Sequence, residues 1–213
     1  MNILVLSAHS DDAILGVGAT MAKYVAEGHR VLVVICSAGE SSPAWARNKK
    51  ELVKTRINEA IAADHVLGVT DTIFLGQKDT KLTSRRDYLS KKVAYLFERY
   101  KPQKVFVHHA NDLHPDHRAV FLACKRALEK TRLETEVYGF EVNSWFTPFV
   151  RENQIMIDVS AYHHKKMEAL KHFPSQQYLI YILKPFLYVK SLYYGLVYGF
   201  KYAEQFYTYT TPN

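Results

Sequence analysis

Residues 1–37 read MNILVLSAHSDDAILGVGATMAKYVAEGHRVLVVICS, and the period of their apolar residues changes twice. Residues 2–8 form a short continuous apolar run, the signature of a strand buried on both faces. Residues 12–27 then place Leu15, Ala19, Ala22 and Ala26 on one helical face, and Gly28 follows as the stop. The β-branched run 30–37 is a second strand. Strand, helix and strand in this order predict a right-handed βαβ unit with parallel strands.

The alternation continues outward from this unit. Ser42-Pro43 opens a helix that runs toward Leu67 and ends at Gly68, and residues 71–75 supply a third strand. A helix over 88–100, a strand over 104–108, a helix over 115–131 and a strand over 136–142 follow. Five strands with intervening helices predict an α/β fold, a Rossmann-like, mostly parallel sheet flanked by helices. A length of 213 residues fits a single domain, with the Rossmann-like core over about 1–143 and a less regular part over about 144–213. In that second part, residues 154–159 read as a further strand and 162–172 as a helix.

Composition narrows the function classes. Hydrophobic residues at 48% and charged residues at 23% describe a globular chain that folds on its own. The net charge of +7 favours anionic partners. Lys and Arg are nevertheless spread over helical segments such as Arg47 to Lys54, without interleaved stacking aromatics, and no nucleic acid is expected. Cys36 and Cys124 are not in a CxxC pair and read as small buried thiols. The first residues have no basic region before two aspartates, so a cytoplasmic location is expected. Lys184, Pro185 and Lys190 interrupt the apolar residues between 178 and 200, which argues against a transmembrane span. The aromatic stripe Tyr188, Tyr193, Tyr194 and Tyr198 reads as core or as a subunit contact in a homo-oligomer, with peripheral membrane contact the lesser reading.

In an open α/β sheet, chemistry is sought beyond the carboxyl ends of the strands. Two such loops concentrate it: Ala8-His9-Ser10-Asp11-Asp12 after the first strand, and residues 108–117, HHANDLHPDH, after the fourth. Singly, Asp12 could cap a helix and Asp116 could complement a helix dipole. Together the loops offer more imidazoles and carboxylates than capping needs. A mononuclear catalytic metal takes about three protein ligands and leaves one position open, and imidazole with carboxylate suits zinc or iron(II). His9, Asp12 and His117 can supply that set. Asp11 is then free to take a proton from water, and His114, held protonated by Asp116, could stabilise an oxyanion. On this chemistry alone, amide hydrolysis and iron-dependent oxygenation both stand, as does a non-catalytic basic module that binds anionic sugars or nucleotides.

These residues also resemble a known family, the LmbE-like or PIG-L N-acetylglucosaminyl deacetylases. AHSDD at 8–12 is similar to that family's AHPDDE, and HHANDLHPDH at 108–117 to its HxxDxHxDH. RINEAIAADHVLG at 56–68, FLGQKDTKL at 74–82 and YGFKYAEQF at 198–206 are weaker echoes that extend the resemblance over nearly the whole chain. The resemblance implies His9, Asp12 and His117 as zinc ligands and Asp11 as general base. It further implies His114 as oxyanion stabiliser with Asp116 as its partner, and places Arg56 and Asp79 near substrate. The implied substrate is a small N-acetylated sugar or glycoconjugate. Two departures stand inside the first motif: Ser10 replaces the family's Pro, and Ala13 its Glu.

Overall fold

β1 (Asn2–Ser7) lies inside the sheet because its side chains find apolar cover on both faces. The computed structural model describes residues 1–41, 48–142 and 153–209. Ile3 and Val5 join one core cluster, and Leu4, Leu6 and Ala8 join the other. The same alternation holds in β2 (Arg30–Ser37), where Val31, Val33 and Ile35 face the first cluster and Leu32, Val34 and Cys36 the second. A strand buried on both sides has no polar face, so its sequence runs apolar rather than alternating.

α1 (Asp12–Ala26) and α2 (Lys49–Leu67) cover the first face, joined by the short α5 (His163–Ala169). α3 (Arg86–Tyr100) and α4 (Pro115–Thr131) pack on each other over the second. With β3 (Asp71–Gln77), β4 (Lys104–His108), β5 (Glu136–Phe140), β6 (Gln154–Asp158) and β7 (Ala203–Tyr209), the sheet has the order β3-β2-β1-β4-β5-β7-β6. The first five strands of that order are parallel, with β1 pairing β2 at Leu4↔Leu32 and β4 at Leu4↔Val105. β7 runs antiparallel to β5 and β6 antiparallel to β7.

The expected βαβ architecture is present, and the differences lie at its edges. The sheet has seven strands: the five expected in the first part, the strand expected over 154–159, present as β6, and β7, which was not expected. The strand expected over 136–142 ends at Phe140. The expected start of α2 at Ser42-Pro43 falls outside the described residues. The helix runs from Lys49, and the Asn48 side chain accepts the Glu51 amide as its cap. α6 (Gln177–Val197) carries much of the aromatic stripe, and there Tyr188, Tyr193 and Tyr198 are exposed rather than core. No helix among the described residues is long and apolar enough to cross a membrane.

From β1 the chain winds to β2 and β3, then crosses back to place β4 on the other side of β1. The loops after β1 and β4 therefore diverge in opposite directions. A crevice opens where the winding reverses, the position at which ligands bind in this architecture.

Candidate metal and catalytic site

The two loops meet through buried hydrogen bonds. The Ala8 amide donates to His108 Nε2 at 2.9 Å, which ties the end of β1 to the end of β4. The His9 amide donates to Asp12 Oδ2 at 2.8 Å, which folds the first loop back on the start of α1. Asp12 Oδ2 then lies 3.2 Å from His9 Nδ1, 3.4 Å from His117 Nε2 and 3.3 Å from His108 Nε2. One candidate ligand atom from each of His9, Asp12 and His117 lies within 4.8 Å of the other two.

His117 is oriented from behind. Its Nδ1 meets Asp112 Oδ2 at 2.9 Å, so Nε2 is the nitrogen that faces Asp12. The other oxygen of Asp112 accepts the His114 amide at 2.8 Å and fixes the turn that starts α4. A carboxylate behind a ligating imidazole raises its basicity and fixes its tautomer. Burial disfavours the charged form of Asp12, but His117 and His9 outweigh it and hold the carboxyl well below the usual carboxylate range. Burial likewise opposes a proton on His117, and the Asp12 and Asp112 charges reverse this and push it up to about 9. The carboxylates beside His9 and His117 favour a proton on these two imidazoles, and the same field attracts a cation. Two imidazoles and one carboxylate match the donor set of zinc or iron(II), and the residues fit such an ion.

Asp11 sits at the N-cap of α1 but makes no side-chain cap bond. Its carboxyl, 4% exposed, lines the same cavity, and burial together with the Asp12 charge pushes it up to about 6. His114 caps α4 by accepting the Asp116 amide at Nδ1, 3.2 Å away. Burial, with His117 and His9 close by, lowers its pKa, so the ring is neutral with its proton on Nε2.

This arrangement differs from the expected partnership of a protonated His114 with the Asp116 carboxylate. The Asp116 carboxylate accepts the amides of Thr80 at 2.7 Å and Leu82 at 3.2 Å. It holds the loop after β3 against the site, and the bond to His114 comes from the Asp116 backbone.

Asp79, on that same loop, meets His9 Nε2 at 3.1 Å and accepts the Ser41 amide at 2.9 Å. Burial works against its charge, but His9 prevails and holds the carboxyl down at about 2. Arg56 comes from α2, 3% exposed, and its guanidinium donates to the carbonyls of Ala38 and Gly39. Gly39 has φ +77°, and a Cβ there would lie 2.7 Å from the Arg56 guanidinium, so glycine serves both the backbone turn and the contact. Both Arg56 and Asp79 line the cavity with His9, Asp11, Asp12, His114 and His117. Its volume is about 800 Å³, and Pro174 to Leu179 close one side.

Asp112 and Glu59 were not assigned roles from sequence. Glu59 accepts the Ser175 amide at 2.8 Å and its hydroxyl at 2.5 Å, which pins that wall to α2. Each stands inside a quoted motif, HxxD for Asp112 and RxxE for Glu59, and that was the available signal. Of the two departures, Ser10 bonds Ala38 O and Gln176 Oε1, both at 3.3 Å, and Ala13 is buried in the first core cluster.

Comparison of the sequence with known proteins relates the chain to deacetylases. The family described as PIG-L, GlcNAc-PI de-N-acetylase, matches residues 4–128. The 1D-myo-inositol 2-acetamido-2-deoxy-alpha-D-glucopyranoside deacetylase of Acidothermus cellulolyticus is 29% identical, over 82% of this chain and 79% of that protein. Two other relatives of the same name match over 27% and 52% of their own length. The N,N'-diacetylchitobiose deacetylase of Pyrococcus horikoshii superposes with a TM-score of 0.82 at 20% identity, over 99% of this chain and 84% of that one. The 4-carboxy-2-hydroxymuconate hydratase of Pseudomonas putida superposes with a TM-score of 0.83 at 22% identity, over 100% and 98% of the two chains. At these identities the two structures establish the shared fold, and the hydratase demonstrates that this fold carries more than one reaction.

Proposed function

The chain belongs to the GlcNAc-PI de-N-acetylase (PIG-L) family, and from that premise we propose that it hydrolyses the acetamide of a small N-acetylated amino sugar or glycoconjugate. The observation that carries this reading is the convergence of His9, Asp12 and His117 within 4.8 Å in a cavity that also holds Asp11 and His114. His9, Asp12 and His117 would hold a single zinc ion, and iron(II) suits the same donors. When bound, such an ion supplies Lewis acidity toward the amide carbonyl and acidifies water.

The chain's own groups do the rest. Asp11 has no cap bond to satisfy and takes the proton of the attacking water. As the oxygen adds to the acetamide carbon, negative charge builds on the former carbonyl oxygen. His114 donates its Nε2–H there, in the tautomer that the Asp116 amide enforces. The proton held by Asp11 passes to the departing nitrogen, the C–N bond breaks, and acetate and a free amine leave. Arg56 and Asp79 face the same cavity and orient the sugar through its hydroxyls. Asp116 acts at one remove, by holding the Thr80 to Leu82 loop that carries the Asp79 wall.

Elemental analysis of the purified protein, paired with amine and acetate release from a panel of N-acetylated sugars before and after chelation, tests the reading. About one metal per chain and chelator-sensitive release of both products are expected. His117→Ala should lose the metal, whereas His114→Ala should keep it and lose turnover. Metal without amine release, together with hydration of an unsaturated acid, would move the chain to the chemistry of the hydratase that shares its fold.

A further inference from the structure

α6 is apolar on the face it turns away from the protein. Tyr178, Ile182, Pro185, Val189, Tyr193 and Leu196 recur at spacings of four and three residues and so form one stripe. All six are exposed, with Tyr178 at 80%, Val189 and Tyr193 at 61% and Leu196 at 68%. Ile180, Ser191 and Gly195 form the buried face, where a Cβ on Gly195 would lie 2.5 Å from the Lys201 carbonyl oxygen. Twelve of the eighteen exposed large hydrophobic residues among those described fall between 178 and 200. A contiguous apolar face of this kind marks an interaction surface.

Charge decides what it meets. Between Glu168 and Glu204 the chain has no Asp or Glu but carries Lys171, Lys184, Lys190 and Lys201. Lys190 is engaged by Glu141 at 3.0 Å and Lys171 by Glu168, so Lys184 and Lys201 set the sign of the surface around the stripe. A second copy seated on the stripe would bring like charges together, whereas anionic headgroups complement them. Tyrosine, with an apolar ring and a polar tip, suits the depth at which such a helix rests.

We infer that α6 is an interfacial helix that lays its outer stripe on an anionic lipid surface, with the flanking lysines at the headgroups. The helix is about 30 Å long at 1.5 Å per residue and lies along the surface rather than through it. Its first turn, Gln177 to Leu179, is also a wall of the cavity, so docking brings the mouth of the cavity to the lipid.

Flotation of the intact protein with phosphatidylcholine vesicles, with and without phosphatidylglycerol, tests this without reference to turnover. It therefore stands or falls separately from the deacetylase reading. Binding is expected to the phosphatidylglycerol vesicles above all and to weaken with salt. A Val189→Glu, Leu196→Glu double variant should bind at least about tenfold more weakly, with its circular dichroism unchanged. Val189→Trp should show a blue-shifted emission on those vesicles. Absence of binding, equal binding by the double variant, or no emission shift would overturn the inference. So would a sedimenting dimer that the double variant converts to monomer while vesicle binding is absent.

Discussion

His117 Nδ1 and Asp112 Oδ2 stand 2.9 Å apart, and the pair decides which nitrogen of the ring faces the site. Asp112 is 5% exposed and spends its second oxygen on the His114 amide, so one carboxylate positions both of the histidines that pack against His9. Removing a carboxylate that stands behind a ligating imidazole costs roughly 10–100-fold in metal affinity. Asp112→Ala should therefore keep its fold yet bind zinc at least about tenfold more weakly in a competition titration against a chelator. Unaltered affinity would mean that the second loop is held by α4 alone.

Asp11 and Asp12 are neighbours in sequence with opposite tasks. Asp12 turns an oxygen toward three imidazoles, while the Asp11 carboxyl faces the cavity and makes no side-chain cap bond to the helix it precedes. Asp11→Asn is nearly isosteric and removes the base, so kcat should fall by about 10²–10⁴-fold. Metal content should stay at the parent value. A variant that loses metal along with turnover would place Asp11 among the ligands instead.

How much of this was legible in the chain follows from which signals are local. The unit over 2–37 could be read because each strand is a continuous apolar run and α1 shows a clean helical face bounded by Gly28. β7 escaped because it joins the sheet antiparallel through partners far away in sequence, whereas β6 falls on the strand read over 154–159. α6 is apolar on its buried and exposed faces alike, so periodicity alone could not say which side meets the protein. That His9, Asp11, Asp12, His114 and His117 would line one cavity could be read because they follow strands at the sheet edge where ligands bind. The Asp116 carboxylate was sent to the wrong partner, because neighbours two apart at a helix start share backbone contacts more readily than side-chain ones. Its donors, the amides of Thr80 and Leu82, lie more than thirty residues away.

Asp64 makes a pH-dependent prediction outside the site. Burial pushes its carboxyl up to about 7, against a 2.7 Å hydrogen bond donated by Thr72. Between the unfolded value, about 3.9, and this raised value the native state keeps a proton that the unfolded chain releases. The contribution of Asp64 to stability is thus greatest below about pH 4, declines as pH rises through that window and is level above it. Asp64→Asn stays neutral and can still accept from Thr72. It should gain on the order of 2 kcal/mol at pH 8 and almost nothing at pH 4, read by urea denaturation at both values. A gain of equal size at both would point to packing rather than charge.

The Lys166 and Glu204 pair offers a last test, of how the C-terminal strand is locked to α1. The two groups meet at 2.6 Å, each 5% exposed, and Glu204 also accepts the amides of Ala19 at 3.2 Å and Thr20 at 2.8 Å from within the helix. Gly18 permits the approach, since a Cβ there would already lie 3.1 Å from the lysine stem. Lys166→Met fills much the same volume but leaves a buried carboxylate without its cation, so it should cost about 3 kcal/mol in chemical denaturation. Glu204→Gln alone frees the lysine charge and should also destabilise. The double variant removes both charges and should be more stable than the sum of the single losses by about 1 kcal/mol or more. If the losses simply add, the two charges are each solvated locally, and the α1 amides rather than the ion pair hold β7 in the sheet.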